Sequence, residues 1–135
     1  MKEKTLCLDF DGVLHSYSSG WKGAKNIPDP PVDGAIEWVR SLLGCPENVG
    51  IGPRYLDFRL AIYSSRSRYF GGRRAMKRWL EKWGLDKYEI ELIDFPLMKP
   101  AAFLQLDDRA ITFIGVFPTV EEMKSFVPWN KKGYL

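Results

Sequence analysis

The sequence is poor in the residues that build thiolate or imidazole metal centres. Its 135 residues include two cysteines, Cys7 and Cys45, and one histidine, His15. The cysteines lack metal-ligand spacing, so zinc has no ligand set here. Cys7 lies in an apolar run and reads as a small core residue, and free thiols of this kind suit a reducing cytoplasm. No apolar stretch is long enough to span a bilayer, so no membrane partner is expected. Met1 to Lys4 leads directly into a short apolar run that breaks at Asp9, which is not a signal-peptide pattern. Repeats, low-complexity tracts and linkers are absent, and the length fits one domain over residues 1–135.

What is present suits a folded chain. Apolar residues make up 45%, with five Trp, eight Phe and six Tyr, enough to fill one core. The formal charge of +3 is compatible with an anionic partner without identifying one.

Two short apolar runs end at polar punctuation. Thr5 to Asp9 is followed by Asp11-Gly12, and Phe58 to Tyr63 stops at Ser64-Ser65-Arg66. Both read as buried strands ending at turns. Further strand candidates are Glu89 to Ile93, Phe103 to Leu106 and Ile111 to Ile114. Helices fall between them. Asp33 can cap a helix carrying Ile36, Val39, Leu42 and Leu43, with Gly44 and Pro46 as its stop. Met76, Trp79, Leu80 and Trp83 share a face, and Gly84 ends that helix. Thr119 and Glu122 form a capping-box pattern before Met123 and Phe126. Strands alternating with helices imply an α/β fold, a parallel sheet with helices on both faces. The segments His15 to Pro31 and Cys45 to Asp57 are long and irregular, as functional loops often are.

In open α/β sheets ligands bind beyond the C-terminal strand ends. Three expected strands deliver polar groups there: Asp9 with Asp11, Ser64, and Asp107 with Asp108, while Lys99 lies in the connection just before the last pair. Asp9 and Asp11 project to the same side if the chain is still extended there. Asp107 and Asp108 are adjacent, so one can face the site while the other orients a neighbour. Four close carboxylates repel unless positive charge is near. Lys99 and a divalent cation would supply it, and oxygen ligands favour magnesium over a transition metal. A calcium loop needs Gly at its sixth position with acids at one, three and five, a pattern that fails here.

These residues resemble the motifs of the haloacid dehalogenase (HAD) superfamily. Leu8-Asp9-Phe10-Asp11-Gly12-Val13-Leu14 is similar to its first motif, and Ala61-Ile62-Tyr63-Ser64 to its second. Lys99-Pro100 is similar to the third, and Leu106-Asp107-Asp108 to the fourth, all in family order. The wording around them, including Gly20 to Gly23, looks like small phage and bacterial members. The resemblance implies a three-layer, Rossmann-like HAD fold. It also implies phosphoryl transfer through an aspartyl-phosphate on Asp9, with Asp11 as acid and base. Ser64 and Lys99 would hold the phosphoryl group. Magnesium would be held by Asp9, the Asp11 backbone carbonyl and Asp107, with Asp108 in support. Carbon–halogen cleavage is disfavoured, because dehalogenating members lack a carboxylate at the place of Asp11. Lys99 and Asp107 are eight positions apart, and Leu14 to Phe58 is mostly loop plus one helix. The resemblance therefore implies no large cap and an open site.

Gly12, Ser65 and Arg66 complete the candidate substrate-binding set, with Ser65 an alternative to Ser64 and Arg66 in reach of a phosphate. The expected substrate is a phosphomonoester, on a small molecule or a nucleic-acid end. Arg66, Arg68, Arg73, Arg74, Lys77, Arg78 and Lys82 could follow a nucleic-acid backbone, or form the solvated face of an amphipathic helix. A third possibility is a phospho-ligand binding module that has lost turnover. His15 could touch a leaving group or make an ordinary loop contact.

Overall fold

The computed structural model describes residues 4–43 and 58–134. Cys45, the Cys45–Asp57 loop and the Gly44–Pro46 helix stop lie outside them. Three parallel strands, β1 (Lys4–Leu8), β2 (Phe58–Ile62) and β3 (Leu104–Leu106), form one open sheet in the order β2-β1-β3. Leu6, Cys7 and Leu8 of β1 are buried in succession, as a strand flanked by parallel neighbours and covered on both faces requires. Leu60, Ala61 and Ile62 of β2 repeat that pattern.

Helices connect the strands. Between β1 and β2 lies α1 (Ala35–Leu43), which buries Ala35, Ile36, Val39 and Leu43. After β2 come a 3-10 turn at Ser65–Arg68, then α2 (Gly72–Lys82) and α3 (Lys87–Glu91). Met76, Trp79 and Leu80 turn into the core from α2 at helical spacing, and Gly84, at φ 124°, carries the chain away. Trp83 lies just past the helix end and is partly exposed. Met76, Trp79 and Leu80 join Phe10, Leu14, Leu85, Ile90, Ile93 and Phe95 in one cluster. Each fully buried Leu, Ile or Met contributes about 1.5–3 kcal/mol relative to exposure. The described core therefore lies between β1, β2, α1 and α2.

The C-terminal part differs. All three residues of β3 are exposed, and α4 (Val120–Lys124) buries none of its own. The Thr119 hydroxyl does accept from the Glu122 N–H at 3.1 Å, as the capping pattern suggests. Met123 and Phe126, which follow that pattern, are 48% and 37% exposed.

Two strand expectations are corrected. Glu89 to Ile93 begins inside helix α3, because Asp86 accepts from the Glu89 N–H at 2.8 Å and Glu89 returns a contact to the Asp86 N–H at 2.9 Å. This reciprocal cap nucleates a helical turn where the apolar run alone suggested a strand. The pairing segment lies just beyond: Asp94 bridges Ala61 in parallel, extending the sheet past β2 by one residue pair. Ile111 to Ile114 forms no regular element and stays exposed, so its apolar character does not report a buried strand. No helix among the described residues is long and apolar enough to cross a membrane.

Candidate functional site

Strand register builds the site. Leu8 of β1 lies opposite both Ile62 of β2 and Leu106 of β3. The three strands thus end level, and Asp9, Tyr63-Ser64 and Asp107 emerge at one edge. Two backbone bonds stitch that edge: the Asp9 N–H donates to the Leu106 carbonyl at 3.0 Å, and the Tyr63 N–H to the Leu8 carbonyl at 3.1 Å. A cavity of about 200 Å³ opens there, lined by Asp9, Ser64, Ser65, Lys99 and Asp107, with Cys7, Tyr63, Gln105 and Leu106 completing its wall. Residues drawn from four separated segments thus meet in one small space.

Asp9, Asp107 and Asp108 form an acidic triad, each offering an oxygen within 4.8 Å of the others. The Asp9 carboxyl is pushed up to about 8, first by burial, then by a hydrogen bond with Asp108 and the charge of Asp107. The Phe10 N–H, donating to Asp9 Oδ1 at 2.8 Å, opposes this only in part. Like charges sharing a poorly solvated site retain a proton unless a cation replaces it. The donors are all hard oxygens, a set that could hold a divalent cation. Asp107 Oδ1 also accepts from the Arg109 N–H at 2.9 Å, which orders the turn after β3.

Gly12 serves the same triad. Its φ of 84° suits glycine, and a Cβ there would overlap the Asp108 carboxylate. Its carbonyl accepts from Trp129 Nε1 at 2.8 Å, tying the C-terminal segment to the first motif. Nothing in the sequence marked Trp129 for this contact, since 117 positions separate the two.

Ser64 has two faces. Its Oγ accepts from the Arg66 N–H at 3.2 Å, capping the 3-10 turn, while the residue also lines the cavity. A hydroxyl that accepts one bond still has its own O–H to donate. Ser65 lines the same cavity and is exposed. Burial pushes the Cys7 thiol up, with Lys99 opposing, so this thiol is not activated by its place in the wall.

Asp11 and Arg66 lie apart from the cavity lining. Arg66 is fully buried. Its Nε reaches both Asp11 oxygens, at 3.1 and 3.0 Å, and its Nη2 reaches Oδ1 at 3.0 Å. Its Nη1 donates to the carbonyls of Gly23, Ala24 and Asn26 at 2.8, 3.1 and 3.2 Å. The Trp21 ring covers the guanidinium, 4.9 Å from its carbon.

His15 supports Asp11 from the other side, Nδ1 to Oδ1 at 2.8 Å. The Asp29 N–H donates to Nε2 at 3.1 Å. An Nε2 that accepts carries no hydrogen, so Nδ1 holds the proton and donates to Asp11. Asp29 was not marked by any motif. It is buried between two prolines, accepts from the Ser19 N–H and hydroxyl at 2.8 and 2.6 Å, and offers its carbonyl to Trp79 Nε1 at 3.0 Å. Burial would raise its carboxyl, but the bonds from Ser19 and Ser18 outweigh that and hold it below the usual range.

The first-motif carboxylates therefore face different surroundings. Asp9 joins Asp107 and Asp108 beside a cavity, and Asp11 is held by Arg66 and His15. Compared with protein-family models, curated proteins and solved structures, the chain matches none.

Proposed function

We propose that this protein is a magnesium-dependent phosphohydrolase of the HAD type, acting on a phosphomonoester through an aspartyl-phosphate at Asp9. One observation carries the reading: Asp9, Ser64, Lys99 and Asp107, each delivered by a different segment, line one cavity at the level strand ends. The parallel order, with the Asp9 strand between the Ser64 and Asp107 strands, suits a Rossmann-like HAD core with helices on both faces.

Asp9 is the nucleophile. Its carboxylate oxygen bonds to phosphorus as the ester P–O bond breaks, and Asp11 gives a proton to the departing oxygen. Water then attacks phosphorus and yields a proton to Asp11, and the P–O bond to Asp9 breaks to release phosphate. To act as the acid, Asp11 must first take up a proton from solvent, which loosens its ion pair with Arg66 and frees an oxygen for the substrate; the proton later taken from water restores it. Ser64 donates its O–H to a phosphoryl oxygen, with Ser65 on the same wall, and Lys99 balances negative charge. Asp9, Asp107 and Asp108 would hold Mg2+, which when bound keeps Asp9 ionised and offsets phosphoryl charge.

The direct test is hydrolysis of an aryl phosphate with Mg2+, wild type against Asp9→Asn. Turnover that disappears in the variant is expected. No turnover by folded wild type across a broad phosphate panel would overturn the proposal.

A further inference from the structure

Helix α2 holds five basic residues against one acidic residue, so this single helix accounts for the whole positive excess of a chain whose formal charge is +3. The basic residues divide by face. Arg73 donates to the Phe95 carbonyl at 3.0 Å and Lys77 lies over the Phe95 ring. Arg74, Arg78 and Lys82 follow one another at i, i+4 and i+8, which places them in a single stripe about 12 Å long.

That stripe lines a groove of about 350 Å³. Lys25 and Ile27, from the Gly23–Ile27 segment, also line it. Phe70 lines it with 92% of its surface exposed, and Lys25 Nζ lies 5.3 Å from its ring centre. Tyr69, with Arg68 over its ring, and Trp21 continue the aromatic surface, their ring centres 6.2 Å apart. Both are nearly half exposed.

A merely solvated helix face mixes charges of both signs and needs no exposed ring. Here none of Arg74, Arg78 and Lys82 makes an ion pair among the described residues. A row of cations beside exposed aromatic faces is the arrangement that grips a phosphodiester backbone while unpaired bases stack. A lone phosphate covers only part of the stripe, whereas a strand engages all of it.

We propose that this groove, between α2 and the Gly23–Ile27 segment, binds single-stranded nucleic acid. The segment beside the groove is tied to Asp11 through Arg66, which donates to three of its carbonyls while holding the Asp11 carboxylate.

The test is fluorescence anisotropy with a labelled single-stranded oligonucleotide of about twelve nucleotides that carries no terminal phosphate. With no phosphomonoester in the probe, the result stands apart from the hydrolase reading. Wild type binds, and its affinity falls as salt rises. Arg74→Glu with Arg78→Glu weakens binding at least tenfold and flattens the salt slope by about 1.4. The milder pair Arg74→Gln and Arg78→Gln moves both readings the same way, which guards against misfolding. Phe70→Ala weakens binding about tenfold and leaves the salt slope in place. Lys87→Glu, on α3 outside the groove, changes neither. The proposal is overturned if wild type fails to bind at low salt, or if Lys87→Glu loses as much as the groove variants. Equal affinity for a duplex of the same sequence would also overturn it, as would binding confined to anionic phosphatidylserine vesicles.

Discussion

Arg66 grips Asp11 across 55 positions of sequence, with its guanidinium Nε at 3.0 and 3.1 Å from the two carboxylate oxygens. The same side chain ties down the Gly23–Asn26 backbone, so one buried cation joins the first motif, the turn after β2 and the long loop between them. Removing one partner of a buried ion pair leaves the other charge uncompensated and costs about 3–5 kcal/mol. Arg66→Met should therefore destabilise the protein by about that amount in urea unfolding. Arg66→Lys should recover only a fraction, because an ammonium lacks the planar fork. The double variant Arg66→Met with Asp11→Leu should lose much less than the sum of the two single losses. Simple additivity would show that the pair is not coupled.

His15 is placed as a donor to Asp11 and an acceptor from the Asp29 N–H. Nitrogen-resolved NMR of the ring should find the proton on Nδ1. His15→Phe should preserve ring packing against Phe10 and Trp79 while stranding the Asp29 N–H. A cost of about 1–3 kcal/mol is expected for that unsatisfied group. An Nε2-protonated ring would contradict the assignment.

Gly12 meets two constraints at once: a left-handed backbone, and the Asp108 carboxylate where a Cβ would stand. Gly12→Ala should cost more than the 0.4–1 kcal/mol that the substitution gains at compatible sites, roughly reversing its sign. It should also weaken divalent-cation binding, read by the thermal shift that Mg2+ produces. A variant as stable as wild type, with the same Mg2+ shift, would show that the two groups need not be in contact.

The Asp9 carboxyl sets a pH dependence. Its folded value is raised from 3.8 to about 8, so between these values the native state holds a proton that the unfolded chain has released. Stability of the metal-free protein should therefore be fullest below about pH 4 as far as this group is concerned, and decline as pH rises through 8. Melting temperatures in chelator should show this decline, Asp9→Asn should flatten it, and Mg2+ should restore stability most at the alkaline end. A profile identical with and without the carboxyl would refute the assignment.

The place of the candidate site was legible because it follows strand ends. Short apolar runs broken at Asp9 and at Ser64 place polar groups where a parallel sheet stops, and local pattern suffices to locate them. Helix α2 was legible for the same reason, since Met76, Trp79 and Leu80 repeat at helical spacing. Short runs without a period were less legible. At Glu89 the Asp86–Glu89 cap decided for helix, and at Ile111 exposed apolar residues imitated a strand.

By itself, the sequence determined which residues would reach the end of the sheet. Tertiary structure alone decided how they are divided. Asp9 and Asp11 are two positions apart, yet one joins Asp107 and Asp108 and the other joins Arg66 and His15. Arg66, an apparent phosphate ligand beside Ser64, is turned inward to carbonyls 40–43 positions away. The physical reason is range: hydrophobic period and caps act over a few residues. The partner of a buried charge is chosen by whichever distant carboxylate and carbonyls the folded chain brings within hydrogen-bond reach.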